Sequence, residues 1–155
     1  MRRILAYSLI VTVSWAQSLH AEGNSWNKIR YTGGTIQAKV NPYDWNTTLT
    51  VTSDAIVLAF ARGQTVRIKP AQVTVLSYGQ EAHRRVADMV ALSMLVTPLA
   101  LFGLLHKSKD HLVSVEWRGD DGKPAAVLLE VHKDQYRSLL GALKTVTGKP
   151  VANAP

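Results

Sequence analysis

The chain has 155 residues, 46% hydrophobic and 19% charged, with 18 Lys and Arg against 11 Asp and Glu. That length suits one domain, and the composition excludes general disorder. The absence of cysteine excludes a disulfide scaffold, a thiolate zinc site and a cysteine nucleophile. A formal charge of +7 raises nucleic acid and anionic membranes as partner classes.

Met1-Arg2-Arg3 is a short positive stretch followed by the apolar run Ile4 to Ala16. Ser14-Trp15-Ala16 and Leu19-His20-Ala21 each place a small residue where a signal peptidase cuts, so residues 1–21 read as a secretory signal peptide with cleavage after Ala16 or Ala21. An uncleaved N-terminal anchor is the alternative, although the apolar core is short for a bilayer span. Cleavage removes Arg2 and Arg3, lowering the charge to +5. The expected location is the periplasm or cell envelope, with residues 22–155 as a single domain.

From Thr35 the pattern alternates: Ile36, Ala38 and Val40 predict a strand that Asn41-Pro42 ends. Leu49 and Val51 alternate with threonines in a second strand. Ser53-Asp54 turns into the apolar strand Ala55 to Phe60, and Arg62-Gly63-Gln64 turns again into Val66 and Ile68. Lys69-Pro70 interrupts before a fifth strand, Val73 to Tyr78. Leu112 to Arg118 and Ala125 to Val131 flank Asp120-Asp121-Gly122, a hairpin signal because glycine accepts positive φ. Tyr136, Leu139, Leu140, Leu143 and Val146 share one helical face that Gly148 and Pro150 end, and Asp134 suits the start of that helix. The fold expected is mainly β: seven antiparallel strands in a small barrel or sandwich, closed by a C-terminal amphipathic helix.

The hairpin LTVTSDAIVLAF, then VRIKPAQVTVLSYG, HLVSVEWRGDDG and AAVLLEVHKDQYRSLLGALKTVTG, resemble the pleckstrin-homology-like superfold in its bacterial, GRAM-like variety. The resemblance covers Thr35 to Gly148 apart from an insert. It implies the seven-stranded barrel with its closing helix, and lipid binding through basic residues in the loop between the first two strands. That loop, read as Asn41 to Asn46, holds no Lys or Arg, which argues against inositol phosphate there.

The insert, residues 84–109 between strands five and six, contains Val86 to Leu105, with fifteen apolar residues in twenty and Asp88 as its lone charge. Strands on either side must join one sheet, so Thr97-Pro98 is expected to break the run into a helical hairpin that dips into one leaflet. Arg84, Arg85, Lys107 and Lys109 would contact headgroups, while Val90, Leu92, Met94, Leu95, Leu99, Leu101, Phe102 and Leu104 would enter the membrane or form an oligomer interface. The competing reading is a hairpin buried on the sheet or in a homo-oligomer.

No catalytic motif is present, and no metal or other cofactor is expected. The five histidines lack helical zinc spacing, although His83, His106 and His111 are placed to cluster at the mouth of the insert, where protonation would add charge. Gly33-Gly34 reads as a bulge or bend. Glu116 and Glu130 are expected in solvent or paired with Arg118 or Lys133. Trp26, Tyr43 and Trp45 form a candidate aromatic patch, and Asn46-Thr47-Thr48 is a glycosylation sequon. Basic residues lie dispersed without aromatic interleaving, which argues against nucleic acid. The function expected is an exported, membrane-surface binding or scaffold module without catalysis. A soluble periplasmic domain that binds a protein partner and self-associates through residues 86–105 is the alternative.

Overall fold

The computed structural model describes residues 24–41, 43–92 and 111–153. The chain forms β1 (Asn24–Gly34), β2 (Thr47–Val51), β3 (Ile56–Phe60), β4 (Thr65–Ile68), a 3-10 turn (Pro70–Gln72) and β5 (Val73–Tyr78). It continues as helix α1 (Gly79–Leu92), then β6 (His111–Arg118), β7 (Pro124–Val131), helix α2 (Tyr136–Thr147) and β8 (Val151–Ala152). All eight strands belong to one sheet in the order β4-β3-β2-β1-β7-β6-β5-β8. Every pairing is antiparallel except β5 with β8. β4 and β8 are terminal and do not pair with each other, so the sheet is open rather than a closed barrel.

Period-two alternation makes one sheet face the core. Ile29 and Tyr31 of β1, Leu49 of β2, Leu58 of β3 and Ile68 of β4 share a buried cluster with Leu76 of β5, Val115 of β6 and Leu129 of β7. α2 closes that face with Tyr136, Leu139, Leu140 and Leu143, the stripe its spacing predicts. Trp26 Nε1 donates to Ser138 Oγ at 2.9 Å and ties β1 to α2. At the helix end Gly148 takes φ +67 and its N–H bonds the Lys144 carbonyl, the left-handed stop that glycine allows.

The mainly-β expectation holds in outline, with corrections in detail. Among the described residues there are eight strands rather than seven, because Val151–Ala152 pairs with Leu76 and Ser77 beyond Pro150. The first strand precedes Thr35 instead of following it. At Gly34 (φ +145) the chain lies so close to β7 that a Cβ would collide with the Ala126 carbonyl oxygen. Thr35 N–H then bonds that same carbonyl at 2.9 Å, and Tyr31 OH donates to the Ile36 carbonyl at 2.6 Å. Ile36, Ala38 and Val40 leave the sheet yet pack, partly buried, on the core. Their alternation is real, but it serves a capping loop. The bulge expected near Gly33-Gly34 appears as a register shift between Tyr31 and Gly33. Asp134 does not cap α2: the N-cap position belongs to Gln135, while Asp134 lies 3.3 Å from His132 Nδ1.

Candidate functional site

α1 occupies the sheet face opposite the core. Ala82, Val86 and Val90 recur every four residues, so one stripe of the helix meets Leu112 of β6 and Ala126 and Leu128 of β7 in a second, smaller cluster. Small residues floor this seat. Ser77 and Ser114 stand opposite each other in the β5–β6 register and are fully buried. Glu116, next but one along β6, projects on the same face with only 6% of its side chain exposed. Arg85 of α1 meets it, Nε to Oε1 at 2.6 Å and a second guanidinium nitrogen to Oε2 at 3.2 Å. This hydrogen bonding raises the Arg85 pKa above its ordinary value. Arg84 is two-thirds exposed and donates to both carboxylate oxygens of Glu81 at 2.7–2.8 Å.

Of the expected headgroup contacts, Arg85 is therefore committed to an internal clamp and Arg84 to a helical neighbour. Val90, expected on the inserting face, is 3% exposed and packs on the sheet. Leu92 is 84% exposed. Met94, Leu95, Leu99, Leu101, Phe102, Leu104, Lys107 and Lys109 lie outside the described residues, as do His20 and His106. Among the described residues no helix is long and apolar enough to cross a membrane.

Leu92 shares a cleft of about 390 Å³ with Arg84, Arg85, Asp88, Met89, Glu116 and Pro124. Its charges balance, so it does not select an anion. Pro124 pairs with Arg118 at the far end of β6, whereas the described chain resumes at His111, where β6 begins. α1 thus delivers the apolar run roughly 20 Å along the strand from the point at which it returns. Thr97-Pro98, where a helical hairpin is expected to bend, lies outside the described residues.

Two further surfaces emerge. Trp45 (41% exposed) stands near Arg30, whose guanidinium sits 4.8 Å from the Trp45 ring centroid and bonds Glu130 at 2.9 Å, and Tyr43 two residues before it is 70% exposed. His132 meets the Trp45 ring edge-on at 5.7 Å. Trp26 is buried, so the expected three-residue aromatic patch reduces to two. The β1–β2 connection is also longer than expected, running over residues 35–46 and including Lys39. Gln37 and Lys39 line a cleft of about 230 Å³ with Phe60, Arg62 and Gln64 from the β3–β4 turn. Lys39 and Arg62 form no ion pair among the described residues. The basic character missing from residues 41–46 is therefore supplied a few residues earlier and from the neighbouring turn.

Other expectations change with burial. Glu116 and Glu130 are not in solvent: α1 lays Arg85 over Glu116, and Arg30 stands directly opposite Glu130 in the β1–β7 register. Asn46 is 3% exposed, accepts from Tyr31 N–H at 2.8 Å and donates to the Asn41 carbonyl at 2.9 Å, so its sequon is sealed within the fold. His111 stacks on Tyr136 with centroids 3.8 Å apart, and its Nδ1 lies 2.6 Å from the Tyr78 hydroxyl. Burial, then the neighbouring Tyr136, pushes the Tyr78 hydroxyl above its ordinary pKa. No group of three or more metal-ligating side chains occurs among the described residues.

These features define a mainly-β domain with one helix on each face of an open sheet. No protein-family model matches the chain, and no curated protein matches it. Among solved structures it is similar to the Spt16D Pob3N heterodimer, at a TM-score of 0.49 and 10% identity over 85% of this chain. It spans about half (54%) of the length of that matched chain.

Proposed function

We propose that this chain is a non-catalytic binding or scaffold module of the pleckstrin-homology-like kind, exported to the periplasm or cell envelope and held against an anionic membrane surface by its apolar run. The strand order β4-β3-β2-β1-β7-β6-β5, with a C-terminal helix on the core face, supports the fold assignment. One observation carries the membrane reading. α1 is pinned to the sheet through Val86, Val90 and Arg85, yet its Leu92 is 84% exposed directly ahead of an apolar run.

The pinning also narrows the contact. With Val86 and Val90 spent on the sheet, the available run is Leu92 to Leu105, about fourteen residues, which is too short to span hydrocarbon. Lying in the plane of the interface therefore fits better than dipping through a leaflet. Lys107 and Lys109 follow the run and would supply the headgroup attraction.

Flotation with anionic and neutral vesicles tests this. The exported chain should float with anionic vesicles and lose binding as salt rises, while a version carrying a Gly/Ser linker in place of residues 93–105 should not float. An intact chain that ignores both vesicle types and runs as an oligomer would refute the membrane reading. That result would favour self-association through the same segment, which the exposure of Leu92 also suits.

A further inference from the structure

The open edge of the sheet carries a separate inference. β4 ends the strand order, with β3 as its one strand partner among the described residues. Phe60 N–H bonds the Gln64 carbonyl at 2.8 Å, and the β3–β4 register continues through Leu58 with Val66 and Ile56 with Ile68. Hydrogen-bonded pairs alternate along an antiparallel ladder. Gln64, Val66 and Ile68 therefore turn their N–H and C=O groups toward β3, whereas Thr65 and Arg67 turn theirs outward. The side chains of Thr65 and Arg67 are exposed, while Val66 and Ile68 face the core side.

An edge of this kind is a template for an added strand, and its charge decides which one. Arg67 lies on the edge, Arg62 lies in the turn that leads into it, and neither forms an ion pair among the described residues. The cleft of about 230 Å³ lined by Gln37, Lys39, Arg62 and Gln64 opens where β4 begins. Outward backbone groups and unpaired cations thus lie along one edge, with the basic cleft at its start. A second copy of this chain is a poor occupant, because pairing two β4 edges would bring Arg67 of one copy near the arginines of the other. An acidic strand meets the opposite situation.

We infer that β4 is a docking edge for an extended, acidic peptide segment of a partner protein. The segment adds beside β4 through the Thr65 and Arg67 backbone and sets carboxylates against Arg67 and into the cleft of Lys39 and Arg62. This surface is distinct from α1 and the apolar run, so its test is independent of membrane binding.

The probe is a capped peptide of about ten residues that alternates Glu and Thr, with a version carrying Lys for Glu as the control. Titration into the full chain is followed by calorimetry and by backbone amide resonances. The acidic peptide should bind saturably, shift the Thr65 and Arg67 amides and slow their hydrogen exchange, while the basic peptide should not bind. Arg62→Glu combined with Arg67→Glu should weaken binding at least about tenfold. Thr65→Pro should weaken it comparably, because it deletes an outward N–H without removing a bond to β3. The inference is overturned by an absence of saturable binding, or by equal binding of the basic peptide. It also fails if Thr65→Pro binds like wild type, or if the shifts are confined to Lys39 and Arg62, since either reduces the contact to charge attraction. Hydrogen exchange on the unsubstituted chain tests the same strand addition without relying on a variant that must fold.

Discussion

Replacing Arg85 by Met should loosen α1 specifically, and the size of the effect follows from the burial of its partner. Glu116 keeps 6% of its side chain exposed, and Arg85 supplies both of its hydrogen bonds from α1. Two unit charges about 4 Å apart attract by about 4 kcal/mol at the effective dielectric constant of a protein edge, but desolvation offsets much of this. Removing one partner of a buried pair costs about 3–5 kcal/mol, because the other charge is stranded. Arg85 is itself 36% exposed, so water reaches the site and the cost falls to about 2–3 kcal/mol. The double variant Arg85→Met with Glu116→Leu removes both charges together and should recover to within about 1 kcal/mol of wild type. Urea unfolding gives the global values, and hydrogen exchange across Gly79–Leu92 shows whether the loss is local to the helix. A single variant with unchanged exchange in α1 and a loss below about 0.5 kcal/mol would refute the clamp. So would a double variant no better than the single one.

Other substitutions probe the sheet and its hairpins. Gly34→Ala should cost about 2 kcal/mol or more in chemical denaturation, since the new Cβ meets the Ala126 carbonyl and φ stays at +145. A loss under about 0.5 kcal/mol would mean that β1 and β7 do not approach so closely. Asp120, bonded by Lys69 at 3.2 Å and Gln72 at 2.7 Å, has its pKa held below the ordinary aspartate value, with the Lys69 bond as the larger cause. A carboxyl depressed on folding stabilises the folded state above its unfolded pKa and loses that contribution as pH falls through the folded one. The link between the 3-10 turn and the β6–β7 hairpin should therefore persist through neutral pH and weaken only below the ordinary aspartate range. A carbon-detected titration of Asp120 should place its midpoint below the ordinary aspartate value, and a midpoint at or above that value would disprove the contact.

The sequence made most of the sheet legible for two reasons: β2 and β3 are buried on one side only, while β6 and β7, covered on both faces, are long apolar-rich runs, and the turns between them carry Ser53-Asp54, Arg62-Gly63-Gln64 and Asp120-Asp121-Gly122. β1 was less legible because NSWNKIRYTGG mixes polar and apolar residues on a strand whose bulge shifts its register. Ile36, Ala38 and Val40 looked more strand-like, although their packing is that of a loop drawn onto the core by Tyr31 and Thr35. Glu116 illustrates why the site was harder to read. Alternation assigns its face correctly, but only the helix laid over that face turns a solvent carboxylate into a clamp. The basic cleft was not visible, because Lys39 and Arg62 are far apart in the chain and meet only once the β1–β2 connection and the β3–β4 turn come together.

β8 gives the sheet a direction of growth. The chain's own tail holds the outer side of β5 at Leu76 and Ser77, so that border already has a strand in place, while β4 has none. A strand arriving at β4 therefore completes a finite one-to-one complex and does not begin a stack, because the opposite border offers no equivalent place for a further copy. Trimming the chain before Val151 would remove that terminator. The trimmed chain should then associate end to end more strongly with rising concentration than the intact one.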